Sequence, residues 1–231
     1  MWPHRSYFRD RQEAGQQLAA ALPPLEGSET VVIALPRGGV PVAEEICKAL
    51  KAPMDLVFVR KIGAPSQPEV AMGAIVDGTA PHVVVNERIA RAFGMDHAQV
   101  EAMGRELLPE IEHRRKTYLG DRAPVSLTGK VLVVVDDGVA TGATLRAGLA
   151  ALREVGAARV ILALPVAPPD TLATFEGLAD EIICLQTPDP FMAVGAAYVN
   201  FSQTSDEEVV AAMTRCAVWI RDEPPDGPPH E

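Results

Sequence analysis

Cysteine is scarce in this chain, and what there is lies scattered. Only Cys47, Cys184 and Cys216 occur in 231 residues, with no C-x-x-C pair. That spacing argues against a disulfide framework and against a cysteine-built zinc module. Cys47 and Cys184 read instead as small core residues. The five histidines show no ligand spacing. Positive charge is short as well: 21 Lys and Arg stand against 31 Asp and Glu, a net charge of −10. Nucleic acids and anionic membranes call for a basic surface, so neither is an expected partner. No apolar run approaches the ~20 residues of a membrane span. Residues 1–10 already mix charges, unlike a secretory leader, so a cytoplasmic location is expected. Aromatic residues make up 5% of the chain, and no internal repeat is visible.

Apolar residues are not short, at 48% of the chain. They gather into short runs rather than long ones. Val131 to Val135 is an unbroken β-branched stretch, the pattern of a strand buried on both faces of a parallel sheet. It ends in Asp136, Asp137 and Gly138, then a loop of small residues, Val139-Ala140-Thr141-Gly142-Ala143-Thr144. Leu145, Leu149 and Leu152 follow at helical spacing up to Gly156, a C-cap glycine. Small residues let a backbone approach a ligand closely, and a helix N-terminus presents N–H groups to an anion. The hydroxyls of Thr141 and Thr144 add donors. Two carboxylates at the carboxyl end of a strand suit sugar hydroxyls or a divalent cation. The stretch therefore suits a sugar phosphate. It is not a P-loop, because Ala143 follows Gly142 where that motif needs Lys, and it lacks the G-x-G-x-x-G dinucleotide fingerprint.

The same logic recurs earlier. Val31 to Leu35 reads as a core strand running into Pro36-Arg37-Gly38-Gly39, with a helix from Val40 to Leu50 that carries Pro41 in its first turn. Met54 to Val59 reads as a second buried strand ending in Arg60-Lys61. Ile62 to Val70 reads as a loop because of Gly63, Pro65 and Pro68, and Ala71 to Val76 as a strand. Val83 to Val85 is a short strand, and 86–118 is helical with a break at Pro109. Strands follow at Arg159 to Leu164 and Glu181 to Leu185, with a short helix at Pro169 to Gly177. Asp10 to Leu22 is a helix closed by Pro23-Pro24, and Ser205 starts another that runs to Ile220. Alternating strands and helices from 31 to 185 define an α/β fold, a doubly wound, mostly parallel sheet.

The segment VVVDDGVATGAT resembles the phosphoribosyl pyrophosphate (PRPP) motif of the type I phosphoribosyltransferases. Pro36 to Gly39 resembles that family's pyrophosphate loop, in which a non-proline cis peptide is common; here it would be Pro36-Arg37. The resemblance implies a phosphoribosyltransferase that binds PRPP and Mg²⁺. It would transfer the phosphoribosyl group to a nucleobase-like nitrogen acceptor and release pyrophosphate, in nucleotide metabolism. Asp136 and Asp137 would hold the ribose hydroxyls and Mg²⁺, directly or through its water. Residues Gly138, Val139, Ala140, Thr141, Gly142, Ala143 and Thr144 would take the 5′-phosphate. Arg37, Gly38, Gly39, Arg60 and Lys61 would face the leaving pyrophosphate, with Arg37 and Lys61 counted as catalytic beside the two aspartates. Glu69 reads as a solvated loop residue.

The implied organisation is an N-terminal helix in 1–30, a core in 31–185, a hood and helix in 186–221, and a disordered tail in 222–231. Phe191 and Tyr198 in the hood are the expected walls of the acceptor pocket. Phe201 is expected to pack the C-terminal helix. Small molecules and a second copy of the chain, as a homodimer, are the expected partners. The alternative is a non-catalytic PRPP-sensing regulatory or interaction protein.

Overall fold

A computed structural model of the chain describes residues 7–77 and 81–220. The expected tail at 222–231 lies outside the described residues, as do residues 1–6 of the opening segment. The fold is built on five parallel strands: β1 (Thr30–Ala34), β2 (Met54–Leu56), β6 (Val131–Val135), β7 (Arg159–Val166) and β8 (Glu181–Gln186), in the order β2-β1-β6-β7-β8. All the pairings within it are parallel.

Strand alternation divides the apolar runs between two faces. Val32, Ala34, Val133 and Val135 face a cluster containing Val40, Ile46 and Met213. Those residues belong to α2 (Gly39–Leu50) and α8 (Asp206–Cys216). Val31, Ile33, Leu132 and Val134 face a second cluster with Leu145, Leu149 and Leu152 of α6 (Ala143–Glu154) and with Phe175. Because both faces are covered, the central strands carry no polar alternation. Each fully buried Val or Leu contributes roughly 1.5–3 kcal/mol.

The expected loop at 62–70 is not a loop. Strands β3 (Val59–Ala64) and β4 (Gln67–Val76) form a hairpin, and β5 (His82–Val85) completes a separate three-stranded antiparallel sheet. Pro65 and Ser66 make its turn, so the proline that suggested a long loop marks only a tight reversal. The expected strand from Met54 to Val59 is split at Val57-Phe58, where the chain leaves the main sheet for the small one.

Beyond β5 come α3 (Glu87–Ala92), α4 (His97–Glu106) and α5 (Leu108–Leu119), with Pro109 at the start of α5. The helix α1 (Arg11–Ala21) is capped by Asp10, and α7 (Pro169–Ala173) lies between β7 and β8. No helix among the described residues is long and apolar enough to cross a membrane.

One polar bond ties α8 to α2. Glu44 is 4% exposed. Arg215 donates to it through Nε at 2.6 Å and Nη2 at 2.9 Å, and Lys48 Nζ lies 3.0 Å away. The Arg215 hydrogen bonds, despite burial, hold the Glu44 carboxyl below its ordinary range. A depressed carboxyl stabilises the fold above the ordinary value of 4.5, and that contribution is lost as pH falls through the lower folded value. Arg215→Ala should cost ~1–3 kcal/mol at pH 7, each kcal/mol being worth about 2–4 °C in Tm for a domain of this size. Thermal melts from pH 7 to pH 3 should show the gap between the two proteins narrowing below pH 4.5. A gap that stays constant would contradict this account.

Candidate active site

The strand order reverses between β1 and β6, because the chain leaves β1 toward β2 and leaves β6 toward β7. It is at such a switch point, in the crevice outside the carboxyl ends of the strands, that open α/β sheets bind ligands. The structure therefore brings together the two stretches singled out by sequence, Pro36 to Gly39 and Asp136 to Thr144. Leu35 N–H donates to Val135 O at 3.0 Å and fixes their separation.

The approach is close enough to require glycine. A Cβ on Gly38 would fall 2.1 Å from Asp137 Oδ2, and one on Gly39 would fall 2.7 Å from Val135 O. The Pro36-Arg37 peptide is cis, as the resemblance implied. Gly142 has φ +70° and ends the small loop at the N-cap of α6. A Cβ there would meet Phe175 at 2.6 Å, so the position favours glycine on both counts.

The loop is anchored by its carbonyls. Thr171 Oγ1 donates to Ala140 O at 2.7 Å, and Arg146 Nη1 donates to Thr141 O at 3.2 Å. The first-turn N–H groups of α6 have no partner within the helix and are the natural anion donors. Thr141 and Thr144 are exposed beside them. Val139 departs from expectation: it is 5% exposed, and its N–H donates to Val166 O at 3.0 Å. It is a core residue whose N–H is already used within the fold.

Asp136 Oδ1 accepts from the Asp137 N–H at 2.9 Å. Burial, then the charge of Asp137, raises the Asp136 carboxyl well above the ordinary range. Burial raises Asp137 too, and the Arg11 charge and hydrogen bond pull it back. Arg11 Nε lies 2.8 Å and Nη2 2.7 Å from Asp137 Oδ2, a forked contact made from the first turn of α1. The same guanidinium sits 3.9 Å from the centroid of Phe201 and donates to Ser202 O at 2.6 Å. Sequence reading missed Arg11. It lies 126 positions from Asp137 and in no motif; only the need of a half-buried acidic pair for a cation hinted at it.

Other expectations are revised. Arg60 and Lys61 are consecutive residues of a strand and so point to opposite faces. Arg60 is paired with Glu110 of α5, whereas Lys61 Nζ donates to Glu69 O across the hairpin and faces α6. The two side chains thus leave the strand on opposite sides, each with a partner of its own. Arg37 is paired with Asp206 at 3.2 Å, and Tyr118 Oη donates to the same carboxylate at 2.6 Å. Tyr198 is 6% exposed and donates its hydroxyl to Asp137 O at 2.5 Å. It supports the acidic loop from beneath and is not an open wall. Phe191 packs into the cluster of Phe8, Ala14, Val166, Ala197 and Tyr198. Phe201, expected to pack the C-terminal helix, stacks on Tyr198 at 5.0 Å and stays 37% exposed.

For a metal, the crevice offers the two hard carboxylates Asp136 and Asp137, and no group of three or more ligating side chains occurs among the described residues. Two carboxylates fit Mg²⁺, which keeps several waters and completes its shell with substrate oxygens.

A diglycine turn, an acidic pair and a loop of small residues thus meet at the switch point of a parallel α/β sheet. The chain belongs to the phosphoribosyl transferase domain family, whose model matches residues 11–199. That span extends past 31–185 on both sides and includes Arg11 and Tyr198. A Mycobacterium tuberculosis protein, provisionally named a phosphoribosyl transferase, is 49% identical over 209 residues. The match covers 90% of this chain but 46% of that one, so the chain spans about half the length of this curated relative. The crystal structure of TT1426 from Thermus thermophilus superposes with a TM-score of 0.80 at 39% identity, covering 90% of this chain and 98% of that one.

If the two loops meet as described, Gly38→Ala must displace the Asp137 carboxylate or its own turn. Overpacking of this kind costs ~1–3 kcal/mol. Differential scanning calorimetry should show a Tm several degrees lower, whereas an unchanged Tm would mean that the loops are not in contact.

Proposed function

We propose that the crevice between 36–39 and 136–144 binds PRPP with Mg²⁺, and that the protein transfers the phosphoribosyl group to a nitrogen acceptor. The observation that supports this best is the convergence of the diglycine turn, the acidic pair and the T-G-A-T cradle at one switch point. In the proposed reaction the acceptor nitrogen forms a bond to C1 of the ribose while the C1–O bond to pyrophosphate breaks, and the nitrogen loses its proton.

The first turn of α6 and the hydroxyls of Thr141 and Thr144 hold the 5′-phosphate. Asp136 accepts from the ribose hydroxyls. Its carboxylate and that of Asp137 oppose the positive charge that develops on the ring. Arg37, at the turn, faces the departing pyrophosphate. Mg²⁺, when bound, neutralises phosphate oxygens and templates the displacement. Because Arg11 already holds Asp137, the ribose must share that carboxylate or displace the guanidinium.

Asp136→Asn with Asp137→Asn should retain the fold and lose Mg²⁺-PRPP binding by at least tenfold in calorimetry, since both carboxylates carry the sugar end of the site. Undiminished binding and turnover would remove the assignment. A second reading, PRPP binding without transfer, is favoured by Arg37 and Arg60 both being held in internal ion pairs. Pyrophosphate release across a panel of nucleobases and other amines separates the two, because binding without release in any mixture supports the second.

The acceptor wall we assign to Phe201, the one ring of the segment both exposed and in contact with Arg11. Phe201→Ala should raise the acceptor KM several-fold and leave PRPP affinity within twofold. Equal losses for both substrates would make Phe201 a support of Arg11 rather than a wall.

A further inference from the structure

Most cations of this chain are paired with carboxylates, as Arg9, Arg105, Arg115, Arg122, Arg153 and Arg159 are. Among the described residues, Lys51, Lys61, Arg88, Arg91, Lys116 and Arg146 have no carboxylate partner. Four of these six, Lys61, Arg88, Arg91 and Arg146, line a single cleft of about 600 Å³. It lies between β4, β5 and the start of α3 on one side and α6 on the other.

The cleft's hydrogen bonds leave its charges free. Arg88 makes none among the described residues. Arg91 Nε donates to Glu87 O at 3.0 Å, and Lys61 Nζ to Glu69 O at 3.2 Å. Arg146 Nη1 donates to Thr141 O and Thr174 Oγ1, both at 3.2 Å. The one carboxylate in the lining, Glu87, is engaged by His97 Nδ1 at 2.7 Å. Arginine forks match phosphate oxygens in shape as well as charge. Between the cations the floor is apolar, formed by Ala74, Val84, Ala147 and Leu178. A cavity of this volume and mixed lining is of the size that holds small ligands.

We propose that this cleft is a second ligand site, adjoining the PRPP crevice at Thr144 but separate from it, and that it takes a nucleoside polyphosphate. The phosphates lie on Lys61, Arg88, Arg91 and Arg146, and the base lies on the apolar floor. A planar base needs an apolar surface, and a flexible inorganic chain gains nothing from one. The proposal adds to the PRPP reading and does not depend on transfer.

Isothermal titration calorimetry on the full chain tests it, with ATP and inorganic tripolyphosphate titrated without divalent cation and PRPP titrated with Mg²⁺. Wild type should bind ATP more tightly than tripolyphosphate. Arg88→Gln with Arg91→Gln should weaken ATP at least fivefold and leave Mg²⁺-PRPP affinity within twofold. Both side chains are exposed, so the variant should melt with wild type, and Arg88→Lys with Arg91→Lys should recover part of the binding. The proposal is overturned by no ATP binding to wild type, by a smaller loss in the Gln variant, or by tripolyphosphate binding as tightly as ATP. A matching loss of PRPP would merge the cleft with the crevice and overturn it too. A variant that changed the mass measured by light scattering would make the surface an interface between copies, again against the proposal. ATP binding with no PRPP binding to wild type would keep this site and sink the PRPP reading.

Discussion

The contact on which the rest of the structure depends is between the diglycine backbone after β1 and the acidic pair after β6. At the switch point of the sheet the turn after β1 and the acidic pair after β6 lie so close that a single added methyl at Gly38 would overlap Asp137. Five consecutive pairs of register, Thr30 with Val131 through Ala34 with Val135, hold the two strands in the alignment that makes this contact. A slip of one residue would turn every apolar side chain to the wrong cluster. The geometry of the crevice is therefore set by the same packing that stabilises the core, and no separate device is needed to bring the loops together.

Around that contact the two ends of the described chain act as one support. Arg11 reaches Asp137 from α1, Tyr198 reaches its carbonyl from the segment after β8, and Phe8 and Phe201 lie against Tyr198 at 5.4 and 5.0 Å. Phe8 N–H donates to Ala197 O and Val199 N–H to Phe8 O, which binds the two segments to each other. A half-buried pair of carboxylates is costly unless a cation compensates it. Arg11 supplies that compensation through Asp137 Oδ2, the oxygen that the proposed PRPP reading would assign to the sugar.

What was legible in the sequence was whatever depends on neighbours along the chain. The strand Val131–Val135, the first turn of α6, the two short loops and the Ser205 cap all come from local pattern. The errors share one cause, which is that tertiary pairing overrode local signals. Gly63, Pro65 and Pro68 read as loop markers, yet they sit in and around a hairpin that survives because β5 and α6 pack against it. Tyr198 and Phe191 read as ligand walls because aromatics are rare here, but rarity says nothing about which way a ring faces. Arg11 left no local trace, since its partner is determined only once α1 packs on α2.

Charge distribution, more than total charge, governs what this molecule can hold. Two unit charges 4 Å apart interact by about 1 kcal/mol in bulk water and about 4 kcal/mol near a protein surface. Beyond the Debye length of ~8 Å at physiological salt, exposed charges are largely screened. A net charge of −10 spread over the surface therefore exerts little field on an anion lodged among guanidinium groups in a cleft. What matters there is whether those groups are already neutralised. Arg37 and Arg60 are, by Asp206 and Glu110, while Arg88, Arg91 and Arg146 have no carboxylate partner among the described residues. The acidic composition thus serves to limit where an anion can settle: carboxylates silence most of the cations, and the unsilenced ones mark the places that remain.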